Sequence, residues 1–212
     1  METRRAESFS DAVFAVAITV LVFNLLTIAD KTTQLGPGQT VAGELRDEWP
    51  AYFAYVVSFL TIGIMWLNHH TMLAGITRVN RVILVLNLLL LMGVVAIPFP
   101  TALVAAHLND SQAGKVSAVT YGVVMIAIAV CFASMWLYIT THGAQLGARR
   151  PARRPPPRIS TIRFTSGNAG YVAATLIALV SPITSLIMYG LLAVYYLFEH
   201  LPTPGGDAEG EN

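Results

Sequence analysis

Apolar residues along this chain come in long unbroken runs, not in the alternation of a half-buried strand. The first run extends from Ala12 to Ala29, with Phe9 just ahead of it. The second covers Trp49 to Leu73, the third Val82 to Leu108 and the fourth Val116 to Ile139. A helix needs about 20 such residues to cross the ~30 Å hydrocarbon core of a bilayer, and each run is near or above that length. A last block, Tyr171 to Leu201, is apolar throughout but interrupted at Ser181-Pro182. It suits one tilted span with a remnant, or two spans if the helix before Pro182 begins near Ile159 or Ser160. Pro182 stops a helix, and segment 159–170 is mixed, not strongly polar, which favours two. The pattern predicts an all-α integral membrane protein with one six-helix domain over residues 1–201. Its spans fall at about 8–29, 50–73, 81–108, 116–141, 160–181 and 183–200.

Composition agrees with the pattern. The 212 residues are 55% hydrophobic and 12% charged, with mean hydropathy +0.61. Soluble domains carry about 25% charged residues, so a soluble globular chain and a disordered one are both excluded. Cys131 alone excludes a disulfide scaffold and says nothing of redox compartment. A net charge of +1 gives no reason to expect a nucleic-acid partner.

Charge does change the picture once it is placed on the spans. Six spans put the N-terminus, the 74–81 turn, the 143–163 loop and the C-terminal tail on one side. That side holds Arg4, Arg5, Arg78, Arg81, Arg149, Arg150, Arg153, Arg154, Arg158 and Arg163, ten of the thirteen basic residues. Lys31, Arg46 and Lys115 lie opposite, with Asp30, Glu44, Asp47, Glu48 and Asp110. The excess of basic residues marks the cytoplasmic side, so a multi-pass protein of the cell membrane with both termini in the cytoplasm is expected. A cleaved signal peptide is disfavoured, because no small-x-small site closes the first run and Asp11 interrupts its start. The Arg/Pro-rich stretch 148–158 reads as an extended cytoplasmic loop, either a topology determinant or a contact for anionic lipid. Residues 202–212 read as a disordered tail.

Ionisable groups inside a span are costly and face protein or water. Arg5, Glu7, Ser8, Ser10 and Asp11 lie at the cytoplasmic end of the first span. Two readings of Asp11 stand. Ser8-Phe-Ser-Asp11 fits a capping box, and an acid suits the positive end of a helix. Alternatively Asp11 belongs to a buried network. Trp66, Asn68, His69 and His70 on the second span and Asn87 on the third share its depth. Arg5 and Asp11 are six residues apart, about 240° around a helix, so each needs a partner elsewhere. A network of Arg5, Ser10, Asp11, Trp66, His70 and Asn87 meets that need. His69 and His70 point about 100° apart and do not suit one metal ion; structural hydrogen bonding by one of them is expected, and no metal site. Ala12, Val16, Thr19, Val20, Phe23 and Thr27 form one stripe of the first helix, which composition alone leaves as either lipid-facing or functional. Asn24 sits beside the stripe, deep in the span, and needs a partner.

Arg5-x-x-x-Phe9-Ser10-Asp11 at the start of the first span resembles the Arg-x-x-x-Phe-Ser-Asp signature of the transmembrane protein 175 family of potassium channels. The run from Ala12 through Thr19 to Val22 is similar to that family's first helix. Phe59 through Trp66-Leu-Asn-His-His70, Asn87-Leu-Leu-Leu-Leu and Pro98-Phe-Pro-Thr101 are companion matches. They cover roughly the first half of the chain, and the second half agrees only in span number and hydropathy. The resemblance implies a six-span subunit, one such unit here against two per chain in animal relatives. It implies a homotetramer whose pore is lined by the first helix of each subunit. Val16 falls where the family places its narrow hydrophobic ring, with Val20 and Phe23 as further rings and Thr19 in a hydroxyl layer tied to selectivity. Val16 is smaller and Phe23 bulkier than is usual in relatives, which moves the expected constriction toward Phe23. The signature residues are structural in the family and tie the first helix to the second and third.

These readings together predict a potassium-favouring cation channel that conducts passively, not an enzyme. Its partners are its own copies, the bilayer and permeant monovalent cations, with no cofactor besides potassium as permeant. No Thr-Val-Gly-Tyr-Gly loop is present to supply a ring of filter carbonyls. The acidic outer residues Asp30, Glu44, Asp47 and Glu48 form either a solvated face or a cation-concentrating mouth. The alternative is a small ion-coupled transporter or exchanger, which usually carries internal repeats and a midplane ionisable residue. No convincing repeat is found, and Asp11 lies near a span end.

Overall fold

A computed structural model describes residues 3–147 and 169–199. Among these the chain is helical, in the order α1 (Thr3–Val20), α2 (Phe23–Thr33), α3 (Val41–Asp47), α4 (Trp49–Ala74), α5 (Arg81–Ala96), α6 (Pro98–His107) and α7 (Ala113–His142). Helices α8 (Ala169–Ala178) and α9 (Pro182–Glu199) follow. The expected loop 148–158, the start of the expected fifth span and the tail 202–212 lie outside the described residues.

Four helical stretches are long and apolar enough to cross a membrane: Thr3–Thr33, Trp49–Ala74, Arg81–His107 and Ala113–His142. Two of them are broken. The third breaks at Ile97, because Pro98 has no N–H for the Val94 carbonyl. The Ile97 N–H takes that carbonyl instead, at 3.1 Å. The first breaks at Leu21 and Val22, where no proline or glycine stands. Local chemistry sets other helix starts. Asn80, extended at φ −109°, accepts the Ile83 N–H through its side chain at 3.1 Å and so caps α5. Thr40 does the same for α3, accepting from Gly43 at 3.1 Å.

Side-chain pairs fix the relative directions. Glu7 meets His70, Asp11 meets Trp66 and Lys31 meets Glu48, so the first span and α4 are antiparallel. Ser58 meets Thr101 and His69 meets Asn87, which sets α4 against the α5–α6 span in the same way. Asn80 meets Tyr138, and Gly93 faces Ile128 across from α7. Helices α8 and α9 fold back on each other at Ser181: Gly170 faces Leu192, and Thr175 bonds Tyr189 at 2.8 Å. Gly114 lies by Pro182 and Gly122 by Tyr189, so α9 runs parallel to α7.

Close approach in lipid depends on small residues and on polar side chains with partners. Gly122 supplies the first, because a Cβ there would fall on Thr175 and Tyr189. Hydroxyls supply the second. Ser58 bonds Thr101 at 2.8 Å and Tyr121 at 3.2 Å, and the Tyr121 ring lies 5.1 Å from that of Tyr189. Ser185 donates to the Ala174 carbonyl at 2.7 Å. The Tyr121–Tyr189 ring contact joins the first of these hydroxyl groups to the C-terminal hairpin. At the opposite end the chain leaves α7 through Gly147, whose φ of +60° is a conformation that favours glycine. That turn lets the Leu146 carbonyl accept from Thr77 and Arg78, both at 3.1 Å.

Candidate functional site

The first span has two unlike faces. Thr3, Ala6, Ser10, Phe14 and Ala17 recur at helical spacing and are buried, and Leu21 continues the series. This face packs on α4 and α5. The opposite face carries Phe9, Ala12, Val16, Thr19 and Phe23, and it is bare. Val16 is 57% and Phe23 60% exposed, Val20 is half-buried and Phe9 is exposed. Over its most apolar stretch only 22% of the first span is buried, against 50%, 33% and 39% for the other three. The span with the least cover is thus one carrying a continuous apolar stripe interrupted by a hydroxyl. Thr19 donates that hydroxyl's proton to the Val16 carbonyl at 2.9 Å, which leaves the oxygen lone pairs free to accept.

Behind the stripe lies a buried relay of hydrogen bonds. Asn87 on α5 donates through Nδ2 to Ser10 Oγ at 2.9 Å, and Ser10 donates to the Ala6 carbonyl at 2.8 Å. The Asn87 Oδ1 then accepts from His69 Nε2 at 2.7 Å. His69 is fully buried, with its ring 5.4 Å from that of Phe14. One amide side chain thus spans two helices by using its donor and its acceptor at once.

A second set lies nearer the surface. Trp66 Nε1 donates to Asp11 Oδ1 at 2.9 Å. His70 Nδ1 lies 2.9 Å from Glu7 Oε1. Glu7 and Asp11 are four residues apart, as are Trp66 and His70, so two faces at matching spacing form a two-rung ladder.

Several expectations meet a different arrangement. The histidine joined to Asn87 and Ser10 is His69, while His70 pairs with Glu7 outside the buried relay. The two rings diverge along the helix, and only that of His69 faces α5. Arg5 is exposed and makes no hydrogen bond or ion pair among the described residues. The capping-box reading of Ser8 and Asp11 fails, because α1 already begins at Thr3. Ser8 is inside the helix and donates back to the Arg4 carbonyl at 3.0 Å. Glu7 and His69 lie at the depth read from the sequence, but the expected network leaves both out. Their signals are the shared four-residue spacing of the ladder and the 3.6-residue spacing of His69 with buried Ile62, Met65, Met72 and Leu73.

At the far end of the span Lys31 is paired with Glu48, so one of the four outer carboxylates is neutralised locally. His107 lies 3.2 Å from Asp110 nearby. No group of three or more His, Cys, Asp or Glu side chains suited to a metal ion occurs among the described residues.

Comparison with known proteins adds the following. Residues 5–98 match the family described as the endosomal/lysosomal potassium channel TMEM175. A protein of Streptomyces collinus named as a potassium channel is 43% identical over 208 residues, covering 98% of this chain and 97% of that one. A protein of Chamaesiphon minutus, also named as a potassium channel, is 35% identical over 195 residues, covering 92% and 93%. The crystal structure of a lysosomal potassium-selective channel TMEM175 homolog from Chamaesiphon minutus superposes with a TM-score of 0.76 at 31% identity. That match covers 93% of this chain and 97% of the other.

Proposed function

Since the chain belongs to the TMEM175 family, we propose that it is a potassium-favouring cation channel, conducting passively through a pore built from several copies of itself. The observation that carries the reading is the bare stripe on the first span. Four copies arranged with this face inward form a homotetramer whose axis is lined by Val16, Thr19, Val20 and Phe23. The packed face of each first helix then points outward to its own α4 and α5.

Rings of four apolar side chains at Val16, Val20 and Phe23 gate by excluding water. A cation crossing such a ring loses hydration and needs oxygen ligands close by. Thr19 offers them, because its proton is already given to the Val16 carbonyl and its lone pairs remain. Phe23 is the bulkiest of the set and makes the tightest ring. Asp11, Ser10, Trp66, His70 and Asn87 stand apart from conduction; their part is to hold the first helix on the bundle. Phe9 and Arg5, exposed on the single chain, have no such contact among the described residues.

The antiparallel α8–α9 hairpin supports a six-span subunit. Its directions put the end of α9 on the side of the N-terminus, and the clustered arginines make that side cytoplasmic. The basic loop 148–158 and the tail 202–212 then belong to the cytoplasm. Nothing in the site favours an exchanger over a channel.

A flux assay on purified protein in liposomes tests this. An outward potassium gradient is imposed, then the same gradient of sodium, each without a counter-substrate. The proposal expects potassium flux that sets a Nernst-like potential, and a smaller response to sodium. Flux that appears only with an exchanged ion overturns the channel reading.

A further inference from the structure

We propose that Asn24 is a positioning residue for conduction: bonded to the Pro98 carbonyl, it holds the outer half of the first span at the angle that places Phe23. This rests on the reading of the first span as pore-lining.

The first span is two helices, not one. Around the break the backbone bonds tighten: Val22 N–H to Thr19 at 3.3 Å, Asn24 N–H to Leu21 at 3.1 Å and Leu25 N–H to Val22 at 2.9 Å. These are three-residue steps, the mark of a tight turn inside a helix. A break in a helix has an identifiable cause, usually proline, glycine or an inserted group. Residues 19–25 contain neither proline nor glycine, so no local residue accounts for this one.

The two halves also rest on different supports. Helix α1 packs on α4 and α5, whereas α2 packs on α3, α4 and α6. Leu21, fully buried, is the pivot between them. Asn24 Nδ2 donates to the Pro98 carbonyl at 3.3 Å. Pro98 stands at the break of the third span, so this bond joins the two broken spans at their breaks. An amide left without a partner in hydrocarbon is costly, which keeps the bond closed and fixes the rotation of α2. Phe23 is the adjacent residue, about 100° round the helix. With Asn24 turned to α6, the Phe23 ring is turned to the bare face, where it is 60% exposed.

The test compares Asn24→Leu, Asn24→Gln and Phe23→Ser with the unaltered full-length chain in liposomes. Potassium flux, the potassium-to-sodium ratio and thermal unfolding are read for each. Asn24→Leu keeps the branched shape of the side chain and deletes the donor. Its expected effect is a shift in flux of about fivefold, the equilibrium factor of one net hydrogen bond, with a changed ion ratio. Asn24→Gln restores an amide and is expected to recover most of the flux and the ratio. A change in unfolding temperature alone, with flux and ratio unchanged in Asn24→Leu while Phe23→Ser alters both, overturns the proposal and leaves the pore reading standing. Unchanged flux in both variants overturns the pore reading and this proposal with it. If Asn24→Leu does not fold, Pro98→Ala takes its place. The third span then regains an N–H for the Val94 carbonyl, which competes with the break that presents the residue-98 carbonyl to Asn24, while Pro100 stays in place. The same shift in flux is expected, and unaltered flux overturns the proposal.

Discussion

His69 and His70 are consecutive residues held by different helices: His69 Nε2 lies 2.7 Å from Asn87 Oδ1 on α5, and His70 Nδ1 lies 2.9 Å from Glu7 Oε1 on α1. His69 is fully buried, while half of the His70 side chain is exposed. One turn of α4 thereby clasps both of its neighbours, from inside and from the surface. The two contacts are unequal in energy. Loss of a buried partner strands polar groups away from water, at about 1–3 kcal/mol each. Loss of a contact open to solvent costs about 0–1 kcal/mol.

Asn87→Leu is therefore expected to destabilise the subunit strongly. It strands both His69 Nε2 and the Ser10 hydroxyl oxygen, for a total of about 2–6 kcal/mol. His70→Ala is expected to cost under about 1 kcal/mol. Thermal unfolding of the two variants in the same detergent checks the order. Equal losses would refute the buried relay as the stronger tie.

Asp11 accepts from Trp66 at 2.9 Å, and a hydrogen bond to a charged acceptor contributes about 1.5–3 kcal/mol. Trp66→Phe removes the donor while keeping a large ring, and is expected to cost that amount in part. Asp11→Asn retains an acceptor and is expected to cost less than Asp11→Ala. In all three the potassium-to-sodium ratio of the folded protein should stay near that of the parent. A changed ratio with unchanged unfolding temperature would place Asp11 in the conduction path instead.

Val16→Ser and Phe23→Ser test the stripe. Both sites are exposed on the single chain, so the stability of the isolated subunit should move by no more than about 0.5 kcal/mol. Flux through the assembled protein should rise and ion discrimination should fall, because a hydrated ring no longer excludes water. Liposome flux with potassium and then sodium reads both. If flux and discrimination are unchanged in both variants, the stripe faces lipid.

Gly122→Ala is expected to destabilise by about 1–3 kcal/mol through overpacking. The added Cβ falls on Thr175 and Tyr189, which are themselves hydrogen-bonded to each other. Thr175→Ala should return part of the loss when combined with it, because one of the two obstacles is gone. A double-mutant cycle on unfolding temperature measures the coupling. Strict additivity would mean that the hairpin yields without strain.

The apolar runs made four long helices legible, because about 20 consecutive apolar residues have few other uses. The break at Pro98 was also open to reading, since proline states its own consequence. The break at Leu21–Val22 was not. Beside it the Asn24 side chain meets a carbonyl 74 residues away, and no local pattern carries that contact. The need of Asn24 for a partner was visible, but not which one. The histidine pair shows the same limit. Divergence of neighbouring rings follows from helix geometry, whereas which ring is buried depends on where α5 packs. Ser8 misled because its capping pattern is real, yet the helix starts earlier and the pattern sits inside it.

The relay from Ser10 through Asn87 to His69 also has a consequence in time. Asn87 follows Ser10 by 77 residues, and Trp66 follows Asp11 by 55. At synthesis rates of ~5–20 residues per second, the first span waits several seconds before either partner exists. During that interval the Ser10 hydroxyl proton is occupied by the Ala6 carbonyl of its own helix, whereas the Asp11 carboxylate has only water and headgroups. The order in which the chain is made thus sets the order in which its first helix can be tied to its neighbours, to α4 before α5.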